Sequence, residues 1–282
     1  MSLYLGIDIA SVDGNKPVDW KAAKAAGCRF AIFRGAYKTW ADPTWKLESQ
    51  RARDAGVIVG AYLFPVMDVG SPDAKAQVAA FYAAIGPIRE GDFPPTLDVE
   101  FPEKISGTGR SREALLSWVR EAVTEMHRVF GMWPMIYTSA RVWDDQDQDS
   151  LHAVATPDLI DCPLWLARYP FKTRIDAVLD PSKVAAPLVP HSWGEGNFWI
   201  HQFQGDAIYF PGFSSTEDVN RFAALWLGSK GERVKWLQRK LSIAQSGYFD
   251  EATRQSVMAF QKSKNLTSDG LVGPLTFTYL CH

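Results

Sequence analysis

Short apolar runs of strand length recur along most of the chain. Seven of them, rich in β-branched and aromatic residues, lie at 3–10, 29–35, 57–64, 96–101, 134–139, 163–169 and 198–203. Several are apolar almost throughout, whereas a strand with one face exposed to solvent would alternate apolar and polar residues. The pattern therefore predicts a sheet that is covered on both faces.

Helical patterns separate the earlier strands. Four segments combine helical spacing of apolar residues with a terminal glycine, at 18–27, 41–56, 71–86 and 111–131. Strands that alternate with helices every 25 to 35 residues or so indicate parallel βαβ units. Beyond residue 140 the helices become short or absent. We therefore predict an α/β fold, an irregular TIM-like (β/α) barrel, with a doubly wound open sheet as the alternative.

The C-terminal residues follow a different pattern. Three short helices are predicted, in "VKWLQRKL", in "DEATRQSVMAFQKSKNL" with Asp250 as its N-cap, and in "GPLTFTYL" with Pro274 in its first turn. "GYFDEAT" and "GLVGPLT" form a small repeat, each with an apolar pair after glycine and a threonine six residues on. We therefore divide the chain into a large domain at 1–226 and a small three-helix domain at 230–282.

The charge is balanced overall and uneven along the chain. The formal net charge is −2, but 230–282 contain eight Lys or Arg against four Asp or Glu. The small domain therefore carries about +4 and the remainder about −6. Neither nucleic acid nor an anionic membrane is favoured as a partner. No apolar segment is long enough to span a bilayer, and the N-terminus lacks a basic leader, so we expect no membrane insertion and no export signal.

The cysteines and histidines indicate no metal or cofactor. Cys28, Cys162 and Cys281 are odd in number and far apart, and His191 and His201 have no third ligand in register. We therefore expect buried thiols and a site that works without a bound group.

Polar residues follow several predicted strands, at the end where TIM-like barrels place their reactive groups. In "PPTLDVEF", Asp98 and Glu100 stand two residues apart and so share one face of a strand. A solvated strand end would explain that pair by itself. The other candidates at strand ends make a common site the better hypothesis: Asp8, Arg34, Tyr62, Tyr137, Arg168, Tyr169, Gln202 and, further along, Asp218. Tyr62, Tyr137, Trp165 and Trp199 lie in or near strand ends and could line such a site, although aromatic residues in strands often belong to the core.

An ordered series of segments resembles glycoside hydrolase family 25, the lysozymes of bacteria and phages. It comprises "YLGIDIAS", "PVDWKAAKAAGCRFAIFRG", "DPTWKLESQRARDAGVIVGAYLF", "PPTLDVEF", "MIYTS", "PLWLARY" and "EDVNRF", and it covers about 3–225. The resemblance implies a barrel with about five β/α units and three further strands. It also implies hydrolysis of the β-1,4 bond between N-acetylmuramic acid and N-acetylglucosamine in peptidoglycan.

The resemblance also implies catalytic roles. Glu100 matches the general acid of the family, and Asp98 matches the carboxylate that acts as nucleophile, electrostatic stabiliser or orienting group. Asp8 and Asp218 match an outer acidic pair. Arg34, Tyr62, Tyr137, Trp165 and Gln202 are the expected substrate contacts. Retention, inversion and assistance by the substrate's acetamido group all remain open, because the separation of the two carboxyl groups decides among them.

This chain departs from the family pattern along the walls of the cleft. "SVDGNKPVDW" follows the first aspartate where many members have an aromatic residue or histidine and then Gln-Gly, and Leu63 replaces a frequent histidine. "FRGAYKT" stands in place of a more usual Arg-Ala-Thr. These differences bear on the choice of sugar, including deacetylated ones, and leave the four acids in place.

The C-terminal segment resembles the peptidoglycan-binding domain type 1 over nearly its whole length. The sequence is therefore interpreted as a modular muramidase whose partner is the glycan strand of peptidoglycan, expected to act as a monomer. Its expected setting is that of a phage-type endolysin, made in the cytoplasm without a signal peptide and acting on the cell wall. A non-catalytic wall-binding protein and a glycosidase of a related polymer such as chitin are the alternatives.

Overall fold

The computed structural model describes residues 4–11, 17–101, 104–144, 150–152, 156–169 and 187–282. The strands are β1 Tyr4–Ile9, β2 Cys28–Tyr37, β3 Trp40–Ala41, β4 Ile58–Phe64, β5 Thr96–Asp98, β6 Met135–Thr138, β7 Leu164–Ala167, β8 Ile200–Tyr209 and β9 Thr216–Phe222. The helices are α1 Trp20–Ala25, α2 Pro43–Asp54, α3 Ala74–Ile85, α4 Arg112–Phe130, α5 Ala140–Trp143, α6 Glu232–Lys240, α7 Glu251–Ser263 and α8 Pro274–Cys281. None of the helices in these ranges has the length and hydrophobicity that crossing a bilayer requires.

The sheet closes into a barrel of eight strands. Its order is β1-β9-β8-β7-β6-β5-β4-β2, and β1 pairs with β2 to complete the circle. β3 lies outside this circle and forms a short antiparallel hairpin with β2. The first five barrel strands are each followed by a helix, and β7, β8 and β9 are the three further strands. Both antiparallel pairings within the barrel involve β9. The predicted barrel is confirmed, and the open-sheet alternative is wrong because β1 and β2 are hydrogen-bonded to each other.

Local signals in the sequence set the helix ends. Asp42, Asp73 and Ser111 each accept a hydrogen bond from a backbone N–H in the first turn of α2, α3 and α4. These bonds satisfy donors that the helix itself leaves unpaired. Gly131 ends α4 with a φ of 74°, a conformation that glycine adopts without steric cost.

Side chains that point outward from the barrel pack against the helices, and those that point inward fill its interior. Leu97 and Val99, on the outward face of the β5 segment, are fully buried against the helical layer. The inward core includes Phe30, whose ring would lie 2.3 Å from a Cβ on Gly6 of the neighbouring strand. Only glycine therefore fits at position 6 beside that ring.

The strand limits differ from the prediction at three places. β5 ends at Asp98 although the next amide, of Val99, still donates to the carbonyl of Tyr137. β8 continues to Tyr209, and "TEDVNRF" forms β9 although its charges masked it as a strand. In β9 Asp218 and the buried Asn220 face the site, so apolar periodicity could not reveal this strand.

The C-terminal domain consists of two copies of one hydrogen-bonded unit. Gln238 donates to the hydroxyls of Ser246 and Thr253 and accepts from the amide of Gly247. Gln261 repeats this arrangement with Asp269, Thr276 and Gly270, each 23 residues later. The repeated glycine and threonine in the sequence therefore serve a buried glutamine in each copy.

The C-terminal domain packs against the end of the barrel that lies opposite the carboxyl ends of its parallel strands. Phe277 of α8 is fully buried there. Its ring centroid lies 6.0 Å from that of Phe93, 4.5 Å from Trp199, 5.5 Å from Phe222 and 5.6 Å from Trp236. The two parts of the chain thus share one aromatic core, which we call the barrel floor.

Polar contacts surround the barrel floor. Lys264 and Glu90 form an ion pair of 2.6 Å, and Arg239 pairs with Asp161. The guanidinium of Arg233 donates to the carbonyl of Gly196 and lies 5.3 Å from the ring of Trp199. Removing 230–282 would expose large aromatic surfaces, so we expect a barrel truncated after residue 226 to lose stability.

We expect Phe277→Ala to destabilise the whole chain by about 3–5 kcal/mol, because it leaves a cavity within the shared aromatic core. Chemical denaturation followed by tryptophan fluorescence measures this. The matched control is Leu275→Ala in the same helix, where the side chain is 40% exposed and a surface substitution changes stability by about 0.5 kcal/mol or less. Equal losses in the two variants would show that the barrel floor does not couple the domains.

Candidate active site

Four carboxyl groups converge at the end of the barrel opposite the floor. Asp8 and Asp218 are directly paired across β1 and β9, so their side chains lie on the same face. Asp98 is the last residue of β5, and Glu100 follows two residues later. The negative charges of Glu100 and Asp8 both act on Asp98, which places the four acids in one electrostatic cluster.

Gln202 of β8 links the outer two acids to two tyrosines. Its Nε2 donates to Asp8 Oδ2 and to Asp218 Oδ2, both at 2.9 Å. Its Oε1 accepts from the hydroxyls of Tyr137 and Tyr169, both at 2.7 Å. Burial raises the pKa of both tyrosines, so they stay protonated and act as donors. A neutral amide thus holds two carboxylates side by side without adding charge.

A second chain of hydrogen bonds fixes Asp8 from below. Trp165 Nε1 donates to Asn220 Oδ1 at 2.7 Å, and Asn220 Nδ2 donates to Asp8 Oδ2 at 2.6 Å. The indole of Trp165 is 2% exposed and packs edge-on against the rings of Tyr62 and Tyr137. Asp8 is therefore oriented by a buried residue two hydrogen bonds away.

Asp98 and Glu100 lie where ionisation is unfavourable. Burial, then the charges of Glu100 and Asp8, raise the pKa of Asp98 well above its ordinary range, and Arg34 partly opposes this. Burial likewise raises the pKa of Glu100. Among the described residues Asp98 Oδ1 has no hydrogen-bond partner, which further disfavours its charged form. The pair is therefore built to keep a proton at a pH where ordinary carboxyl groups have lost theirs.

Arg34 supplies positive charge near the acids and is held by Asp42. Its Nε donates to Asp42 Oδ2 at 2.8 Å, and its Nη2 donates to Ser11 Oγ at 3.1 Å. Burial alone would raise the pKa of Asp42, but hydrogen bonds from Thr44 and Ser11 outweigh it and hold the pKa below its usual range. Asp42 therefore stays ionised, caps α2 and fixes the guanidinium.

Glu100 borders a cavity on each side. One, of about 320 Å³, is walled by Tyr37 and Phe64, whose rings lie 5.5 Å apart. The other, of about 420 Å³, is bordered by Tyr137 and Tyr169. Tyr37 is 42% exposed and Tyr169 is 51% exposed, so both walls offer a ring face to solvent. The two cavities form a cleft with Glu100 at its centre.

Comparison with known proteins identifies this arrangement. The sequence profile of the glycosyl hydrolases family 25 matches residues 7–207. The chain belongs to the glycosyl hydrolases family 25. The profile of a peptidoglycan-binding domain matches residues 230–280.

Individual relatives agree with this family. Lysozyme M1 of Streptomyces globisporus is 25% identical over 219 residues, which is 77% of this chain and 67% of that protein. An N,O-diacetylmuramidase of Arthroderma benhamiae is 27% identical, covering 77% of this chain and 86% of that one. The crystal structure of the lysozyme from Streptomyces coelicolor shares the fold, with a TM-score of 0.64 at 22% identity over 79% of this chain and 93% of that chain.

The structure brings together the four acids that the sequence singled out and shows which groups of the protein the expected substrate contacts bond to. Arg34, Trp165 and Gln202 are 7%, 2% and 1% exposed, and their polar atoms point at other side chains of the site. Tyr62 is 8% exposed and packs its ring on Trp165 below the acids. These four residues contact other side chains of the glycosyl hydrolase site, and Tyr137 borders a cavity with Glu100, so the substrate contacts of all five stay a prediction.

Two residues with clear places in the site were not among the sequence candidates. Asn220 lies two residues from Asp218 in β9, so the two-residue period of a strand could have identified it. Tyr37 had no such signal, because its position depends on the β2–β3 hairpin, which the sequence pattern does not predict.

The histidines take structural places. His201 is fully buried, and its Nε2 lies 2.9 Å from the carbonyl oxygen of Arg168. Burial lowers its pKa to about 4, so it is neutral near pH 7. His191 Nδ1 lies 2.7 Å from Asp144 Oδ2. Within the described part of the chain, no group of three or more His, Cys, Asp or Glu side chains has the arrangement of a metal site.

We expect the acid pair to lower stability as the pH rises. A raised pKa in the folded state means that the folded protein holds a proton that the unfolded chain releases first. The contribution of Glu100 to stability is therefore complete below the ordinary carboxyl range and is lost as the pH rises through its raised pKa. Glu100→Gln removes this loss, so its melting temperature should gain on that of the wild type between pH 4 and pH 7.

The matched control for this pH scan is Glu113→Gln at the start of α4. Hydrogen bonds with its own backbone and with Ser111 lower the pKa of Glu113, so the wild type gains stability there as the pH rises. The difference in melting temperature should therefore have the opposite sign. Parallel pH profiles for Glu100→Gln and the wild type would contradict a raised pKa.

Proposed function

We propose that this chain is a lysozyme, or N-acetylmuramidase, that hydrolyses the β-1,4 bond between N-acetylmuramic acid and N-acetylglucosamine in peptidoglycan. The observation that carries the proposal is the position of Glu100, between two cavities and beside three further carboxyl groups. Glycosidic cleavage requires a protonated carboxyl group at the leaving oxygen and negative charge near the sugar that becomes positive. Membership of family 25 and the C-terminal peptidoglycan-binding domain indicate peptidoglycan as the polymer that is cleaved.

The division of labour follows from exposure. Glu100 borders both cavities and can reach a glycosidic oxygen, whereas Asp98 is 6% exposed and lies behind it. We assign Glu100 as the general acid. Asp98 then carries negative charge beneath the reacting carbon once the shared proton has left. Asp8 and Asp218, held by Gln202, set the field in which that proton is kept.

The first test identifies the bond that is cut. Digested peptidoglycan is reduced with borohydride and hydrolysed, and the reduced sugar is analysed. A muramidase exposes muramic acid at the new reducing end, so muramitol is expected. Glucosaminitol would contradict the assignment, and the absence of new reducing ends would favour a wall-binding protein without catalysis. Faster cleavage of chitin than of peptidoglycan would favour the related-polymer alternative.

The second test separates the two central acids. Glu100→Gln keeps size and hydrogen bonding but has no acidic proton, so turnover should fall by roughly 10²- to 10⁴-fold. Asp98→Asn should lose a comparable factor, because it removes charge from beneath the developing cation. Asp8→Asn and Asp218→Asn should lose less. An oligosaccharide with an activated aryl leaving group needs little protonation and should partly rescue Glu100→Gln but not Asp98→Asn.

Glu113→Gln, on the outer surface of α4, is the control for this series and should keep wild-type turnover. Equal rescue of both central variants by the activated substrate would assign the proton to another residue. Near-normal activity of Glu100→Gln on peptidoglycan would have the same meaning.

The setting of the enzyme is also a proposal. We propose a monomeric, phage-type endolysin that is made in the cytoplasm and acts on the wall after release. The combination of a catalytic barrel with a basic peptidoglycan-binding domain on one chain supports this setting. A single chain that carries both functions needs no second copy for either.

A further inference from the structure

The two cavities beside Glu100 differ in charge. The cavity walled by Tyr37 is also lined by Asp68 and Lys104, so its charges are mixed. The cavity bordered by Tyr169 is lined by Arg141 and Arg168, with Glu100 as its acidic member. We call this second one the arginine cavity. The excess of positive charge among its described lining residues has no role in the cleavage described above. That reaction needs only a proton donor and negative charge near the reacting carbon.

Both arginines of the arginine cavity are exposed and stand on fixed backbone. Arg168 directly follows β7, where its amide donates to the carbonyl of Gln202 and its own carbonyl contacts His201 Nε2. Within the described ranges, the guanidinium of Arg168 has no ion-pair partner. Arg141 is the second residue of α5, a helix capped by the hydroxyl of Ser139. Two guanidinium groups therefore approach one space from separate elements.

The substrate supplies a matching charge at one kind of sugar only. N-acetylglucosamine is neutral, whereas N-acetylmuramic acid carries a lactyl group that ends in a free carboxylate or continues into a peptide with carboxylates of its own. Guanidinium groups bind carboxylates through paired, charge-assisted hydrogen bonds. A cavity of about 420 Å³ is large enough for such a substituent beside the sugar ring.

We propose that the arginine cavity is a subsite for the carboxylate-bearing lactyl substituent of muramic acid, with Arg141 and Arg168 as its binding residues. The subsite rests on the proposed muramidase function. It places a muramic acid residue on the Tyr169 side of Glu100 and so fixes which way the glycan strand runs through the cleft. Neutral glycans lack the group that it holds.

The test compares soluble glycan strands before and after amidation of their carboxylates with a carbodiimide. The wild type should lose about tenfold in kcat/KM when the carboxylates become amides. The double variant Arg141→Gln, Arg168→Gln should already be that slow on untreated strands and should lose little more on amidated ones. Arg141→Lys, Arg168→Lys should recover part of the loss, because the charge remains.

An amidase removes the peptide from the strands and leaves each lactyl group with its own free carboxylate. Such strands distinguish the lactyl carboxylate from the carboxylates of the peptide as the source of charge. A dependence on the arginines that survives in these strands assigns the lactyl carboxylate, and one that disappears assigns the carboxylates of the peptide. Arg128→Gln, an exposed arginine paired with Glu125 on α4, is the matched control and should behave as the wild type on every strand.

Two results would overturn the subsite. One is a wild type whose kcat/KM is unchanged by amidation, and the other is an equal loss by the double variant on charged and amidated strands. Failure of the muramidase function itself would look different, because the wild type would then cleave none of the strands or give glucosaminitol instead of muramitol after reduction of the new ends. Strand affinity measured in the Glu100→Gln background gives a readout independent of turnover and should fall with the double variant only for charged strands.

Discussion

Four carboxyl groups lie together at the poorly hydrated mouth of the barrel. The polar residues around them compensate for this crowding of like charges. Like charges at close range in a poorly solvated place resist simultaneous ionisation. Gln202 separates Asp8 from Asp218 with a neutral donor, and two tyrosines complete the hydrogen bonding of its amide oxygen. The Oδ1 of Asp98 receives no such donor within the described residues. The proton that the site retains is therefore held by the pair Asp98 and Glu100.

The crowding is tolerated because the other end of the barrel is packed so well. The barrel floor joins Phe93, Trp199 and Phe222 to Phe277 of the C-terminal domain in one aromatic core. Packing of this kind contributes most of the favourable free energy of folding, whereas buried acids subtract from it. The peptidoglycan-binding domain thus has a structural role beside its recognition role. It covers the end of the barrel that lies opposite the four acids.

Local periodicity and end signals such as Gly131 and Asp250 predicted the barrel and the three C-terminal helices, and the family resemblance implied the five β/α units. The sequence also identified the four acids through their places at strand ends and the family resemblance. It could not say which aromatic and polar residues would face the cleft. Trp165 and Tyr137 are paired on adjacent strands, yet one is buried below the acids and the other reaches a cavity.

That difference is set by depth along the barrel, which a strand pattern does not encode. A two-residue period tells which side chains point inward, but the stagger between strands decides how far each lies from the mouth. Arg34 and Gln202 are a second case, since the substrate contacts expected of them stay a prediction while their polar atoms bond to other polar residues of the site. In a small closed barrel the inward positions near the mouth outnumber the groups that a sugar can touch, and the surplus becomes the hydrogen-bonded support that holds the reacting acids in place.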